Sequence, residues 1–103
     1  MTKNEIIEKV KKHMQLIKLE YDSDFGFKCS DREIEELRDE TKKEIYKVSF
    51  HTPSHIERDK KGEITSLIEG YYCCCLIDAS NNEILYYIKP QGYIEADGTG
   101  HWI

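Results

Sequence analysis

The sequence predicts an α+β domain: an N-terminal helix and a short second helix packed on a three- to five-stranded antiparallel sheet. Three observations predict it. Residues 70–90 read Gly-Tyr-Tyr-Cys-Cys-Cys-Leu-Ile-Asp-Ala-Ser-Asn-Asn-Glu-Ile-Leu-Tyr-Tyr-Ile-Lys-Pro, two apolar runs around a polar knot at Asp78 to Asn82. Tyr, Cys, Ile and Leu suit a pleated, buried surface and Ser-Asn-Asn tolerates a tight reversal, so this stretch is a β-hairpin. From Lys43 to Thr52 the side chains alternate: Tyr46, Val48 and Phe50 fall on one face, and Ile45, Lys47, Ser49 and His51 on the other, the pattern of a half-buried strand. At the N-terminus Thr2 and Glu5 form a capping box ahead of Ile6, Ile7, Val10 and Met14, spaced as the apolar stripe of a helix.

The first helix runs from about Lys3 to about Gln15, with Ile17 continuing the stripe and Lys9, Lys11 and Lys12 on the opposite face. Leu16 to Phe27 reads as the helix end followed by a short strand, broken by Asp22-Ser23-Asp24 and Gly26. Ser30 and Glu33 repeat the capping-box pattern ahead of Ile34 and Leu37. They predict a second helix from about Asp31 to Asp39, acidic on its outer face. Pro53 ends the alternating strand, Asp59-Lys60-Lys61-Gly62 is a turn signal, and Ile64 to Glu69 leads into the next strand.

Both faces are apolar from Tyr71 to Ala79, which marks a central strand. Its partner runs from Glu83 to Lys89, with Ile84, Tyr86 and Ile88 on one face and Leu85 and Tyr87 on the other. Pro90 and Gly92 interrupt it, Tyr93 to Glu95 forms a short last strand, and the apolar His101-Trp102-Ile103 folds back onto the sheet after the turn at Asp97 to Gly100.

The 103 residues make one domain with a single modest core. Charged residues are 34% and hydrophobic ones 39%, too well supplied with Tyr, Ile and Leu for a disordered chain. No apolar run approaches the roughly 20 residues that cross a bilayer. The opening Met-Thr-Lys-Asn-Glu-Ile-Ile-Glu puts charges where an export signal has its apolar stretch, so a cytoplasmic protein is expected. Cys73, Cys74 and Cys75 are consecutive, unlike a disulfide framework, and read as reduced apolar strand residues.

The net charge of −5 is unevenly placed. Residues 1–19 hold five Lys against two Glu, whereas residues 20–44 hold ten acids against five bases. This balance argues against direct nucleic-acid binding and suits docking on a basic protein.

At the hairpin, Ile77-Asp78-Ala79-Ser80-Asn81-Asn82-Glu83-Ile84-Leu85 resembles the Val-Asp-Ala-x-Thr-Gly-Glu-Val-Leu turn of PepSY-like domains. Asn81 stands where that family has Thr and Asn82 where it has Gly; Asn tolerates a positive φ next best, so the turn geometry survives. The order of helix, a strand similar to Ile45 to Phe50, and hairpin resembles that of cystatin/PepSY-like folds and of small bacterial immunity proteins. The resemblance implies a non-catalytic domain that binds or inhibits another protein.

The candidate chemistry is thin. His51-Thr-Pro-Ser-His55 has metal-like spacing, but Pro53 forbids the helix that would bring the rings together, and no Cys pair completes a zinc set. A mid-strand Cys between Tyr and Leu lacks the cationic, open setting of a nucleophile, and Cys29 beside Lys28 is the more reactive thiol. The acid pairs lie on a charged segment, and no phosphate loop or Ser-His-Asp order is present. No catalytic residue, cofactor or metal is expected.

Seven Tyr, three Phe and one Trp are many for this length, and neighbouring tyrosines point to opposite faces. Tyr72, Tyr87, Tyr93 and Trp102 are assigned to an outward aromatic patch. Such a face either meets a partner or is covered by a homodimer mate or the C-terminal tail. The expected function is a bacterial toxin-immunity protein that blocks a basic toxin, contacting it through this patch and through Glu33, Glu35, Glu36, Asp39 and Glu40. The alternatives are a phage anti-defence inhibitor, whose acids would form a spaced row, and a small-ligand binder of cystatin-like or nuclear-transport-factor-like shape, with a cavity between helix and sheet.

Overall fold

The computed structural model describes residues 1–102, Trp102 by its backbone only. Helix α1 spans Lys3–Leu16. Nine strands follow: β1 (Lys28–Cys29), β2 (Glu33–Glu36), β3 (Lys42–His51), β4 (His55–Arg58), β5 (Ile64–Ile68), β6 (Tyr72–Asp78), β7 (Ile84–Lys89), β8 (Gly92–Glu95) and β9 (Gly100–Trp102). Seven of them form an antiparallel sheet in the order β1-β3-β6-β7-β8-β9, with β2 beside β1 on the same edge of β3. β4 and β5 form a separate two-stranded arm. The arm makes the molecule long, 53 × 29 × 20 Å, and its radius of gyration is 15.4 Å, against about 13 Å for a compact chain of this length.

Helix α1 forms as the sequence predicts. The Thr2 hydroxyl accepts from the Glu5 amide at 3.2 Å and the Glu5 carboxylate accepts from the Thr2 amide at 3.1 Å. Ile6, Val10 and Met14 are fully buried against Val48, Phe50, Cys73, Cys75 and Tyr87. At its C-terminal end the Leu19 amide bonds the Met14 carbonyl at 2.9 Å and the Lys18 amide bonds the Gln15 carbonyl at 3.3 Å, a Schellman motif. Lys18 takes the left-handed position with φ 58°.

The second helix does not form; residues 33–36 are strand β2. Ser30, expected to cap that helix, is tied to β3 instead: its amide donates to the Lys47 carbonyl at 2.8 Å and its hydroxyl accepts from the Lys47 amide at 2.9 Å. The β2–β3 register sets Glu35 opposite Lys43 and Glu36 opposite Lys42, and such opposed charges favour the ladder over an isolated helix turn. The Asp39 carboxylate then closes the hairpin by accepting from the Thr41 amide and hydroxyl at 3.1 and 2.6 Å. With β1, β2 and the tail strand β9 added, the sheet exceeds the expected three to five strands.

The β3–β6 register pairs Val48 with Cys75 and Phe50 with Cys73, and β7 adds Tyr87 opposite Cys75. These side chains face α1. On the other face Ile45, Leu76 and Tyr86 make a second cluster with Leu37, which reaches over from the β2–β3 turn. A register shift at Leu76/Ile77 leaves Leu85 without a facing residue. This bulge puts Leu85 beside Tyr86 in the outer cluster and returns Ile84 to the helix side, so the expected grouping of Ile84 with Tyr86 is wrong.

His13 clamps the helix to the sheet. Its Nε2 lies 2.7 Å from the Ala96 carbonyl and so donates there, while Nδ1 accepts from the Tyr87 hydroxyl at 2.7 Å. Tyr87→Phe is expected to cost about 1–2 kcal/mol, the penalty of leaving a half-buried acceptor without its donor. Lys18→Gly is expected to stabilise by about 0.5–1 kcal/mol, because glycine carries no Cβ penalty in the left-handed position. Urea unfolding of the two variants checks both signs.

Candidate functional site

The outer face of the sheet, away from α1, is covered at one end by the Leu37 cluster and left open at the other, around Tyr72 and Ile88. Registers place Lys28, Ser49, Cys74, Ile88, Tyr93 and His101 in one transverse row across six strands. The row beside it holds His51 opposite Tyr72. Tyr72 is 61% exposed and Ile88 42%, whereas Tyr93 and Cys74 are half-buried.

Two charged borders flank this surface. On one side Lys47 stands 3.4 Å from Glu33 and 3.2 Å from Glu35. Burial opposes the Lys47 charge, and the two carboxylates outweigh it, so its pKa is raised. On the other side the Arg38 guanidinium lies over the rings of Tyr86 and Tyr93, 4.7 and 4.1 Å from their centroids, and pairs with Glu95. The Arg38 amide also donates to the Tyr86 hydroxyl at 3.2 Å.

The expected site residues are not brought together. Tyr72 and Tyr93 lie on the outer face. Tyr87 does not: it is 0% exposed, packed among Phe50, Cys75 and α1, and cannot touch a partner. Alternation within a strand cannot say which face of one strand matches which face of the next; register decides that. Trp102 pairs through its backbone with Gly92, and its side chain and Ile103 lie outside the described residues. Of the acids, Glu33 and Glu35 share Lys47, Asp39 is used in its own turn, and Glu40 occupies that turn at φ 68°. Glu36 ends β2 opposite Lys42. The continuous acidic helix face assigned to these residues is therefore absent.

The arm is the feature that sequence reading missed. Ile56, Ile64, Leu67 and Ile68 are each more than half exposed on it. A register shift leaves Thr65 unopposed on β5, which blunts that edge. The root is tightly built: the Thr52 amide donates to the Tyr71 carbonyl at 2.9 Å, and the Tyr71 amide donates to the Thr52 hydroxyl at 2.8 Å. A Cβ on Gly70 would meet the Thr52 carbonyl oxygen at 2.0 Å, so only glycine fits there. The signal available was the turn sequence Asp59 to Gly62 with Ile56 before it and Ile64, Leu67 and Ile68 after it, and the charges between them masked it.

Burial pushes the Cys73 thiol up to about 12 and raises those of Cys75 and Cys74 as well. His51 stacks on Phe25 and His55 stands 3.3 Å from Glu20. Among the described residues no three His, Cys, Asp or Glu side chains converge on one point. The space between α1 and the sheet is filled by the core described above. No helix among the described residues is long and apolar enough to cross a membrane.

No family model, curated protein or solved structure matches this chain.

Thiol labelling is expected to separate the four free cysteines. Native protein at pH 8 should react at Cys29 and more slowly at Cys74, with Cys73 and Cys75 at least about 100-fold slower until denaturant is added, because the thiolate is the reacting form. Peptide mapping after timed alkylation reads the order.

Proposed function

We propose that this protein is a small cytoplasmic inhibitor of the toxin-immunity type, which docks through the outer sheet face onto a basic toxin or nuclease domain. The observation that carries this reading is the apolar surface at one end of that face: Tyr72 and Ile88 are open, and the arm with Ile56 and Leu67 rises from the same end, between His51 and Tyr72. Exposed apolar area of this kind in a small chain marks a contact surface. Tyr72 and Ile88 would form its desolvated centre, with Glu33, Glu35 and the β2–β3 turn at the rim; Glu36, opposite Lys42, falls on the other face of β2. Rim charges mainly speed association with a basic partner. The resemblance of the Ile77–Leu85 turn sequence to that of PepSY-like domains supports the same reading.

The layout of charge weighs against nucleic-acid mimicry. Asp31, Glu33, Glu35, Glu44, Asp78 and Glu95 each stand beside a Lys or Arg, so the acids are interleaved with bases. The filled space beneath α1 weighs against a ligand cavity in that place.

Tagged protein expressed in its own cells is expected to co-purify with one basic protein in equal amount. Tyr72→Arg combined with Ile88→Asp should abolish that recovery while leaving the circular dichroism unchanged. Glu33→Lys with Glu35→Lys should slow association about tenfold at low salt and less at high salt. Recovery of no partner at micromolar protein, or one retained undiminished by the double variant at Tyr72 and Ile88, overturns the reading.

A further inference from the structure

Beside the arm root the outer face carries a cleft of about 220 Å³, lined by Phe25, Lys28, Ser49, His51 and Tyr72. Phe25 comes from the loop before β1 and lays its ring over His51, with centroids 4.4 Å apart and planes 18° from parallel. Tyr72 faces His51 across the β3–β6 ladder. Phe25 is 65% exposed, as open as Tyr72. Aromatic rings are the largest apolar area a small chain has to bury, and two left open around one hollow mark a place where another ring packs.

The polar groups of the cleft narrow the chemistry. Nδ1 of His51 is 2.7 Å from the Thr52 carbonyl and so carries the hydrogen, which leaves Nε2 as an acceptor. Lys28 supplies a cation and Ser49 a hydroxyl. Among the described residues no carboxylate lines the cleft, although the chain holds twenty acids. Asp22, in the same loop as Phe25, turns its carboxylate onto the Asp24 amide at 2.9 Å. The cleft is smaller than the roughly 300–1,000 Å³ of sites for drug-sized molecules, and matches one or two fused rings.

We propose that this cleft binds a small aromatic carboxylic acid whose ring carries an N–H or O–H donor. The ring packs against the Phe25–His51 pair and Tyr72, the carboxylate meets Lys28 and the Ser49 hydroxyl, and the ring donor reaches His51 Nε2. The site goes beyond the protein-docking reading and is tested on the isolated chain, so either can fail without the other.

The test is a titration of isotope-labelled protein with indole-3-acetate, with neutral indole-3-acetamide as the control, read by amide chemical shifts. Saturable shifts are expected near residues 25–28, 49–51 and 72, with a Kd of roughly 0.1–1 mM, the range of fragment-sized ligands. The amide should bind about tenfold more weakly, the loss of one charge-assisted contact. Lys28→Gln should bring the acid down to the level of the amide. Phe25→Ala should weaken both about tenfold; both variants sit at exposed positions, and their remaining resonances report whether the fold is kept. No saturation by roughly 5 mM, equal affinity of acid and amide for the unmodified protein, or shifts centred elsewhere overturns the proposal.

Discussion

The burial of β6 on both faces is the constraint on which the rest of the structure depends. Cys73, Cys75 and Ile77 pack under α1, while Leu76 packs under Leu37 and Tyr86. One helix covers only one side of a sheet, so the other side needs its own lid, and the β2–β3 turn provides it through Leu37 and Arg38. Small thiols on β6 suit this position because they let β3 and β7 carry larger side chains, Phe50 and Tyr87, towards the helix without crowding. The clamp from His13 to Tyr87 then fixes the helix at a depth set by hydrogen bonds as well as by packing.

Much of this was legible in the sequence, for physical reasons that differ between elements. The capping box and the Ile6-Val10-Met14 stripe gave α1 nearly to the residue, because helix signals are local. β3 and the β6–β7 hairpin were legible from alternation and from turn residues. The failure at residues 31–39 is instructive. Ser30 and Glu33 satisfy a capping box on paper, but Ser30 spends its hydroxyl on Lys47, 17 residues away, and no local pattern reports a partner at that distance. The same limit applies to Tyr87 and to the bulge at Leu85. Facing relations between strands belong to the register, which the sequence encodes only through packing that must first be known.

The aromatic outer face is legible in kind and not in membership. The tyrosine pairs predict aromatic residues on an outer face, and Tyr72 and Tyr93 lie there, but sequence alone shows the acids as free charges. Many are structural punctuation instead. Asp39, Asp59, Asp78 and Asp97 each accept a backbone amide two residues on, at the four hairpin tips that join β2–β3, β4–β5, β6–β7 and β8–β9. The pKa of Asp78 is held below its ordinary value by the Ser80 hydroxyl first and by Lys43 as well. Acidity in this chain is in good part a by-product of how it turns corners.

The root of the arm has a consequence for how such a chain can vary over time. Thr52, Gly70 and Tyr71 seal the sheet off from whatever lies between residues 53 and 69, so the segment beyond the seal can change length without disturbing the core. Extension by one residue on each side would turn every side chain of the ribbon over, whereas extension by two would preserve its faces. Descendants of this sequence can thus lengthen, shorten or re-surface the projection in paired steps, which makes it the natural place for relatives to diverge while the body beneath stays fixed.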